Sequence, residues 1–228
     1  MDLLQRREKE IFETLCALKN NEFAIIGGYA VNAYTLPRFS VDCDIVMRTK
    51  MEAKEMGNIL AKVGYVRATI PKNTPYYGNF ERYEKQVGND FRVSMDILIK
   101  EVLDRQTNVV FTSEWVFGHS KMRSLKGKTI LEELKVRIIN IDALFVMKFI
   151  CGRSTDIRDV FMLAPNLENP EWVKEEIGKR YDFNERFERV KEKILSKQFR
   201  DGLHGVYGRI DSTIFEKHKK AVAAWLDE

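Results

Sequence analysis

The chain has 228 residues, 44% of them hydrophobic and 32% charged, with a formal net charge of +4. That length suffices for one large core or two smaller ones, and so mild a basicity does not by itself make a nucleic-acid-binding protein. The opening MDLLQRREKE is too charged for a signal peptide and no apolar run reaches membrane-spanning length, so a soluble, cytoplasmic protein with no membrane partner is expected.

Residues 3 to 19 read as an amphipathic helix, with Leu4, Ile11, Phe12, Leu15 and Leu18 on one side. A short apolar strand follows at 23 to 26, then Gly27 and Gly28, then a short helix over 29 to 34 that stops before Pro37. A second strand is expected at 42 to 47, a helix over MEAKEMGNILAKVGY ending at Gly64, and a strand at 65 to 70. PKNTPYYGN reads as a loop, and 80 to 87 with 91 to 99 as two strands joined by GND. From about residue 141 helical periods take over, at 141 to 151, 155 to 164, 170 to 180, 183 to 198 and 211 to 226, with DGLHGVYG as a glycine-rich break. The pattern predicts an α+β fold: a mixed sheet with flanking helices over 1–138, followed by a helical domain over 139–228.

Along a strand, residues i and i+2 share a face. Asp42 and Asp44 therefore project together, while Cys43, Ile45 and Met47 face the other way. Two carboxylates so close raise each other's pKa unless a cation neutralises them. Aspartate oxygens suit magnesium, and two such ions about 3.5–4 Å apart can stabilise both oxygens of an in-line phosphoryl displacement. A bare Asp-x-Asp is more often the wet face of a strand. VSMDILI, residues 93 to 99, changes the weighing, because Asp96 lies in an otherwise apolar strand and its oxygens need a partner. That partner is either a lysine or arginine, or a metal shared with Asp42 and Asp44.

A strand running into Gly27-Gly28 and a helix presents backbone N–H groups without an intervening Cβ, a setting that favours phosphate. An ordinary tight turn is the commoner meaning of such a pair. Arg38 and Ser40, just before the aspartates, add a guanidinium and a hydroxyl that can contact phosphate, or else serve a surface salt bridge and a turn.

In the helical half, Lys148 lies among Phe145, Val146, Met147, Phe149 and Ile150, so it either snorkels to water or has an anionic partner. Asp156 can cap the following helix or pair with Lys148. Asp156 and Asp159 share a helix face, with Arg153 and Arg158 nearby. HSKMRSLKGK reads as a solvated basic loop, with RNA phosphate binding as the sharper alternative. Tyr76 and Tyr77 either stack on a base or pack on the lobe beneath. Cys16, Cys43 and Cys151 are expected to be reduced and buried, and the three histidines have no zinc-ligand spacing.

GGYAVNAYTLPRFSVDCDIVM together with VSMDILI resembles the DNA polymerase beta-like nucleotidyltransferase superfamily over residues 23 to 99. Adding KFICGRSTDIRDVFML, the chain is most similar to the AbiEii-type toxin nucleotidyltransferases; the first half alone also looks like aminoglycoside nucleotidyltransferases. The resemblance implies that Gly27 and Gly28 hold a triphosphate and that Asp42, Asp44 and Asp96 bind Mg2+ or Mn2+. It further implies that Lys148 reaches nucleotide phosphates and that Asp156 and Asp159 match the family's Asp-x-x-Asp. TLPR replaces a glycine usual in that region, and Cys43 replaces an aliphatic residue. The expected activity is transfer of a nucleoside monophosphate from an NTP to an acceptor hydroxyl on tRNA, a protein or a small molecule. A toxin-type enzyme would have an antitoxin partner. The alternative is a non-catalytic nucleotide- or RNA-binding module on the same fold.

Overall fold

A computed structural model describes residues 2–71, 78–88 and 91–224. By its internal contacts the chain forms two units, one made of residues 1–33, 37–105 and 110–140, the other of 34–36, 106–109 and 141–228.

The first unit contains α1 (Leu3–Leu18), β1 (Ala24–Ile25), α2 (Gly27–Asn32), β2 (Asp42–Met47), α3 (Lys50–Lys62), β3 (Val66–Arg67), β4 (Phe80–Gly88) and β5 (Phe91–Ile99). It continues with β6 (Glu101–Leu103), β7 (Val110–Thr112), α4 (Ser113–Gly118), β8 (Ser120–Leu125) and β9 (Leu134–Ile139). Seven strands make one sheet in the order β3-β4-β5-β2-β1-β9-β8, and β6 with β7 make a separate ribbon. The sheet is mixed: β2 runs parallel to β5 and β1 parallel to β9, while β1–β2, β3–β4, β4–β5 and β8–β9 are antiparallel.

Helix α1 buries Ile11, Phe12, Leu15 and Leu18 at helical spacing against β5 and α3. Its one buried acid, Glu8, accepts from Lys128 N (2.5 Å), Thr129 N (2.7 Å) and Thr129 Oγ1 (2.6 Å), which ties α1 to the segment between β8 and β9. Helix α3 starts on a capping box, with Thr49 N donating to Glu52 Oε2 (2.9 Å) and Glu52 N to Thr49 Oγ1 (3.2 Å).

The second unit contains α5 (Ile141–Cys151), α6 (Ser154–Leu163), α7 (Pro170–Gly178), α8 (Phe183–Leu195), α9 (Lys197–Tyr207) and α10 (Ser212–Ala223). Helix α5 is apolar nearly all round and packs against α6 and α7. Stacked rings run from Phe145 through Phe149 and Phe183 to Phe187. A second cluster gathers Phe199, Phe215 and His218 on Phe161. Asp142 accepts from the N–H groups of Glu168 (2.9 Å) and Asn169 (3.0 Å), fixing the entry to α7.

The α+β architecture is as the sequence predicts, with several local differences. Helix α2 begins at Gly27 rather than residue 29, because the glycines form its first turn. Strand β3 is only two residues long. The region from 100 to 140, for which no elements are expected from sequence, holds four strands and a helix. These are short, and SKMRSL alternates weakly because β8 is a sheet edge rather than a loop. DGLHGVYG is largely helical: Gly202 and Gly205 are carried inside α9 by the burial of Phe199 and Leu203, and the turn comes at Gly208 (φ +84°). Cys16 is exposed, Cys151 half-buried and Cys43 buried. Tyr76 and Tyr77 lie outside the described residues. No described helix is long and apolar enough to cross a membrane.

Candidate active site

Strands β2 and β5 run parallel in a register that sets Asp42 opposite Ser94 and Asp44 opposite Asp96. Residues at even positions share one face, so Asp42, Asp44 and Asp96 emerge together while Cys43 and Ile45 are fully buried on the other face. One carboxylate oxygen from each aspartate lies within 4.8 Å of the others. Asp42 and Asp44 are half-buried and Asp96 is buried. Three convergent aspartate oxygens suit a hard divalent cation such as Mg2+ or Mn2+.

The neighbouring antiparallel strand β4 places Arg82 opposite Asp96. Arg82 Nε donates to Asp96 Oδ1 at 2.7 Å and Nη2 to Oδ2 at 2.6 Å, and Nη2 lies 3.9 Å from Asp42 Oδ2. A bidentate, charge-assisted pair of this kind is the strong form of such a contact. Burial pushes the Asp96 carboxyl above its ordinary value of 3.8, the two Arg82 hydrogen bonds act against that, and Asp42 and Glu84 add to the rise. The hydrogen bonds to Asp96 raise the Arg82 guanidinium, which therefore stays charged. Burial, reinforced by the three aspartates, pushes the Cys43 thiol well up and leaves it an inert packing group.

The two glycines answer to this cluster. Gly27 has φ +66°, and a Cβ there would overlap Asp44 Oδ2. A Cβ on Gly28 would overlap Ser40 Oγ and lie 3.3 Å from Arg38 Nη2. Glycine is thus required for the carboxylate, the hydroxyl and the guanidinium to close on the first turn of α2. Arg38 and Ser40 are both buried. The loop that carries them is clamped by the buried Asn32, whose Nδ2 donates to Arg38 O (2.8 Å) and whose Oδ1 accepts from Arg38 N (3.1 Å).

Six of the expected residues, Gly27, Gly28, Arg38, Ser40, Asp42 and Asp44, therefore come together with Asp96. Arg82 and Asn32 join them unforeseen. The alternation of β4 around Arg82 carries a signal only once its register with Asp96 is known. Asn32, at the end of a short helix before a proline, was the more legible of the two.

In the helical unit, Lys148 Nζ lies 2.9 Å from Asp156 Oδ1 and 3.0 Å from Asp159 Oδ2. Arg153 donates to Asp156 Oδ2 from Nε (2.7 Å) and from its backbone N (3.3 Å), so Asp156 both caps α6 and pairs with bases. Burial pushes the Asp156 carboxyl up, but the charges and hydrogen bonds of Lys148 and Arg153 outweigh it and hold the group below 3.8.

The mixed sheet with its flanking helices is a nucleotidyltransferase fold. A crystal structure from H. pylori, provisionally assigned as a nucleotidyltransferase, matches all of this chain and 96% of its own at a TM-score of 0.55 and 12% identity. That likeness establishes the fold alone. The lincosamide antibiotic adenylyltransferase LnuA with lincomycin bound aligns over 68% of this chain and 94% of its own, at a TM-score of 0.45 and 19% identity, too low to bear on function. No family model matches the chain, and no curated protein resembles it in sequence.

Proposed function

We propose that the protein is a metal-dependent nucleotidyltransferase that moves a nucleoside monophosphate from an NTP to an acceptor hydroxyl. The observation that carries this reading is the convergence of Asp42, Asp44 and Asp96 beside a glycine turn whose missing Cβ atoms make room for Asp44 and Ser40. The three aspartates would hold Mg2+ or Mn2+, which when bound supplies Lewis-acid stabilisation at the α-phosphate. Gly27 and Gly28 offer backbone N–H groups to the triphosphate, and Arg38 and Ser40 stand beside them as further donors. The acceptor oxygen attacks the α-phosphorus, the bond to the β-phosphate breaks, and pyrophosphate leaves with the electron pair. Asp96 would help to take the acceptor proton once Arg82 gives way. The AbiEii-type resemblance assigns a phosphate contact to Lys148 with Arg153, Asp156 and Asp159 around it. It also brings a toxin role with an antitoxin partner, and residues 1–138 as the catalytic domain.

The test uses purified protein, Mg2+, each α-labelled NTP, and transfer RNA, a protein extract or aminoglycosides as acceptors. Label is expected on one acceptor class with the wild-type protein and none with Asp44→Ala, a loss of at least about 10²–10³-fold. An active, folded Asp44→Ala protein would sink the proposal. A second reading, a non-catalytic nucleotide- or RNA-binding module, draws support from the bidentate hold of Arg82 on Asp96, which occupies one carboxylate of the trio. Its signature is Mg2+-dependent NTP binding with no pyrophosphate release.

A further inference from the structure

Arg186, in the first turns of α8, is 3% exposed. Among the described residues no carboxylate pairs with its guanidinium, and its buried Nε has no hydrogen-bond partner. In the same unit Lys148 is answered by Asp156 and Asp159 and Arg180 by Glu176, while Arg158 shares with Arg186 a buried Nε that has no hydrogen-bond partner. An uncompensated buried charge is costly to a fold.

The guanidinium is nonetheless held in place. It lies 4.7 Å from the ring centroid of Tyr181. It also packs on Gly152, where a Cβ would overlap Nη1 and lie 2.7 Å from Cζ. Gly152 has φ +58° and sits in the break between α5 and α6, so both its backbone and its bare Cα serve this contact. Gly152 N donates to Lys148 O at 3.0 Å, and Arg153 follows it in the chain. The guanidinium therefore stands at the break between α5 and α6. An anion at Arg186 would supply the counter-charge that no described carboxylate supplies.

We propose that Arg186, seated on Gly152 and stacked on Tyr181, is the receptor for a phosphate group bound by the helical unit. A planar fork of donors fits phosphate oxygens, and stacking on tyrosine fixes its plane before the ligand arrives. The phosphate belongs either to a small compound such as pyrophosphate or a nucleotide, or to an RNA strand. The site uses none of the three aspartates and no transfer step, so it stands apart from the proposed reaction.

Full-length protein carrying 15N-labelled arginine is titrated in EDTA with inorganic pyrophosphate, ATP or a short single-stranded RNA. The Arg186 Nε–H resonance, assigned by its absence from Arg186→Lys, is followed. A saturable shift of that resonance is expected. Calorimetry should show the same probe binding at least tenfold more weakly to Arg186→Gln, and more weakly to Gly152→Ala, which keeps the arginine but crowds it. A response to pyrophosphate or ATP alone assigns a small phosphate compound, and a response to RNA alone assigns a strand. If the Arg186 resonance moves with none of the probes, or Arg186→Gln binds as wild type does, the proposal is overturned. Should Arg186→Gln not fold, the wild-type titration decides by itself.

Discussion

Arg82 and Asp96 face each other across β4 and β5 and meet through two hydrogen bonds of 2.7 and 2.6 Å. The same guanidinium lies 3.9 Å from Asp42, so a single side chain neutralises part of the acidic trio. A bound cation and Arg82 therefore compete for the same oxygens. Arg82→Gln is expected to bind Mn2+ more tightly than wild type, measured by calorimetry or electron paramagnetic resonance. Arg82 is 39% exposed but Asp96 only 7%, so the stability lost should exceed that of a surface pair, at about 1.5–3 kcal/mol. Unchanged Mn2+ affinity would show that Arg82 yields its place without cost.

Gly27→Ala places a Cβ where φ is +66° and where Asp44 Oδ2 already sits. The left-handed backbone alone costs about 1–2 kcal/mol. Urea unfolding should report at least that loss. Gly28→Ala, with Ser40 Oγ as the obstacle, is expected to be relieved by Ser40→Gly in the double variant. Additive losses would mean that the two positions are not in contact.

Lys148→Met removes the base that lies within 3.0 Å of both Asp156 and Asp159, each almost fully buried. Taking one of its cations from a buried carboxylate pair costs up to about 3–5 kcal/mol, and Arg153, still bonded to Asp156, keeps the loss towards the lower figure. Adding Asp156→Asn and Asp159→Asn should restore much of the loss in a denaturant titration. Because Asp156 is held below 3.8 in the fold, its contribution is present above that value and fades as the pH drops below it. Acid unfolding of the wild type should thus include a component that the triple variant lacks.

His218 packs on Phe161, with Nδ1 2.9 Å from Phe161 O. Burial lowers its pKa from 6.5, the Phe161 hydrogen bond opposes this, and Lys217 adds to the lowering. The fold favours neutral imidazole, whereas the unfolded chain takes up a proton near 6.5. Stability is therefore fully present above that pH and declines as the pH falls from 6.5 towards the folded value. Thermal melts between pH 5 and 7.5 should show this slope in the wild type and a flatter one in His218→Gln.

Much of the candidate site was legible because it is written in short segments. DCD alternates on one strand, and a lone aspartate interrupts VSMDILI. What joins them, the parallel β2–β5 register, is a long-range pairing that no local pattern encodes. The same limit hid Arg82, which becomes part of the cluster only through the β4–β5 register. Glycine spacing misled at DGLHGVYG, where burial of Phe199 and Leu203 overrides a weak helix preference. SKMRSL was obscured by its place at the margin of the sheet, where one face need not be apolar. Lys148, among apolar neighbours, left open whether it snorkels to water or meets an acid, and the carboxylates of Asp156 and Asp159 decide it.

The order of the strands also bears on how this chain behaves in a crowded solution. A sheet with open margins can recruit a second copy whose edge strand pairs alongside its own. Here one margin, β3, is only two residues long, and the other, β8, carries Lys121 and Arg123 along its six residues. A copy approaching β8 would bring the same cations against their own kind. A basic margin of this kind is expected to disfavour such pairing, and replacing Lys121 and Arg123 with threonine should make the protein more prone to form β-rich aggregates.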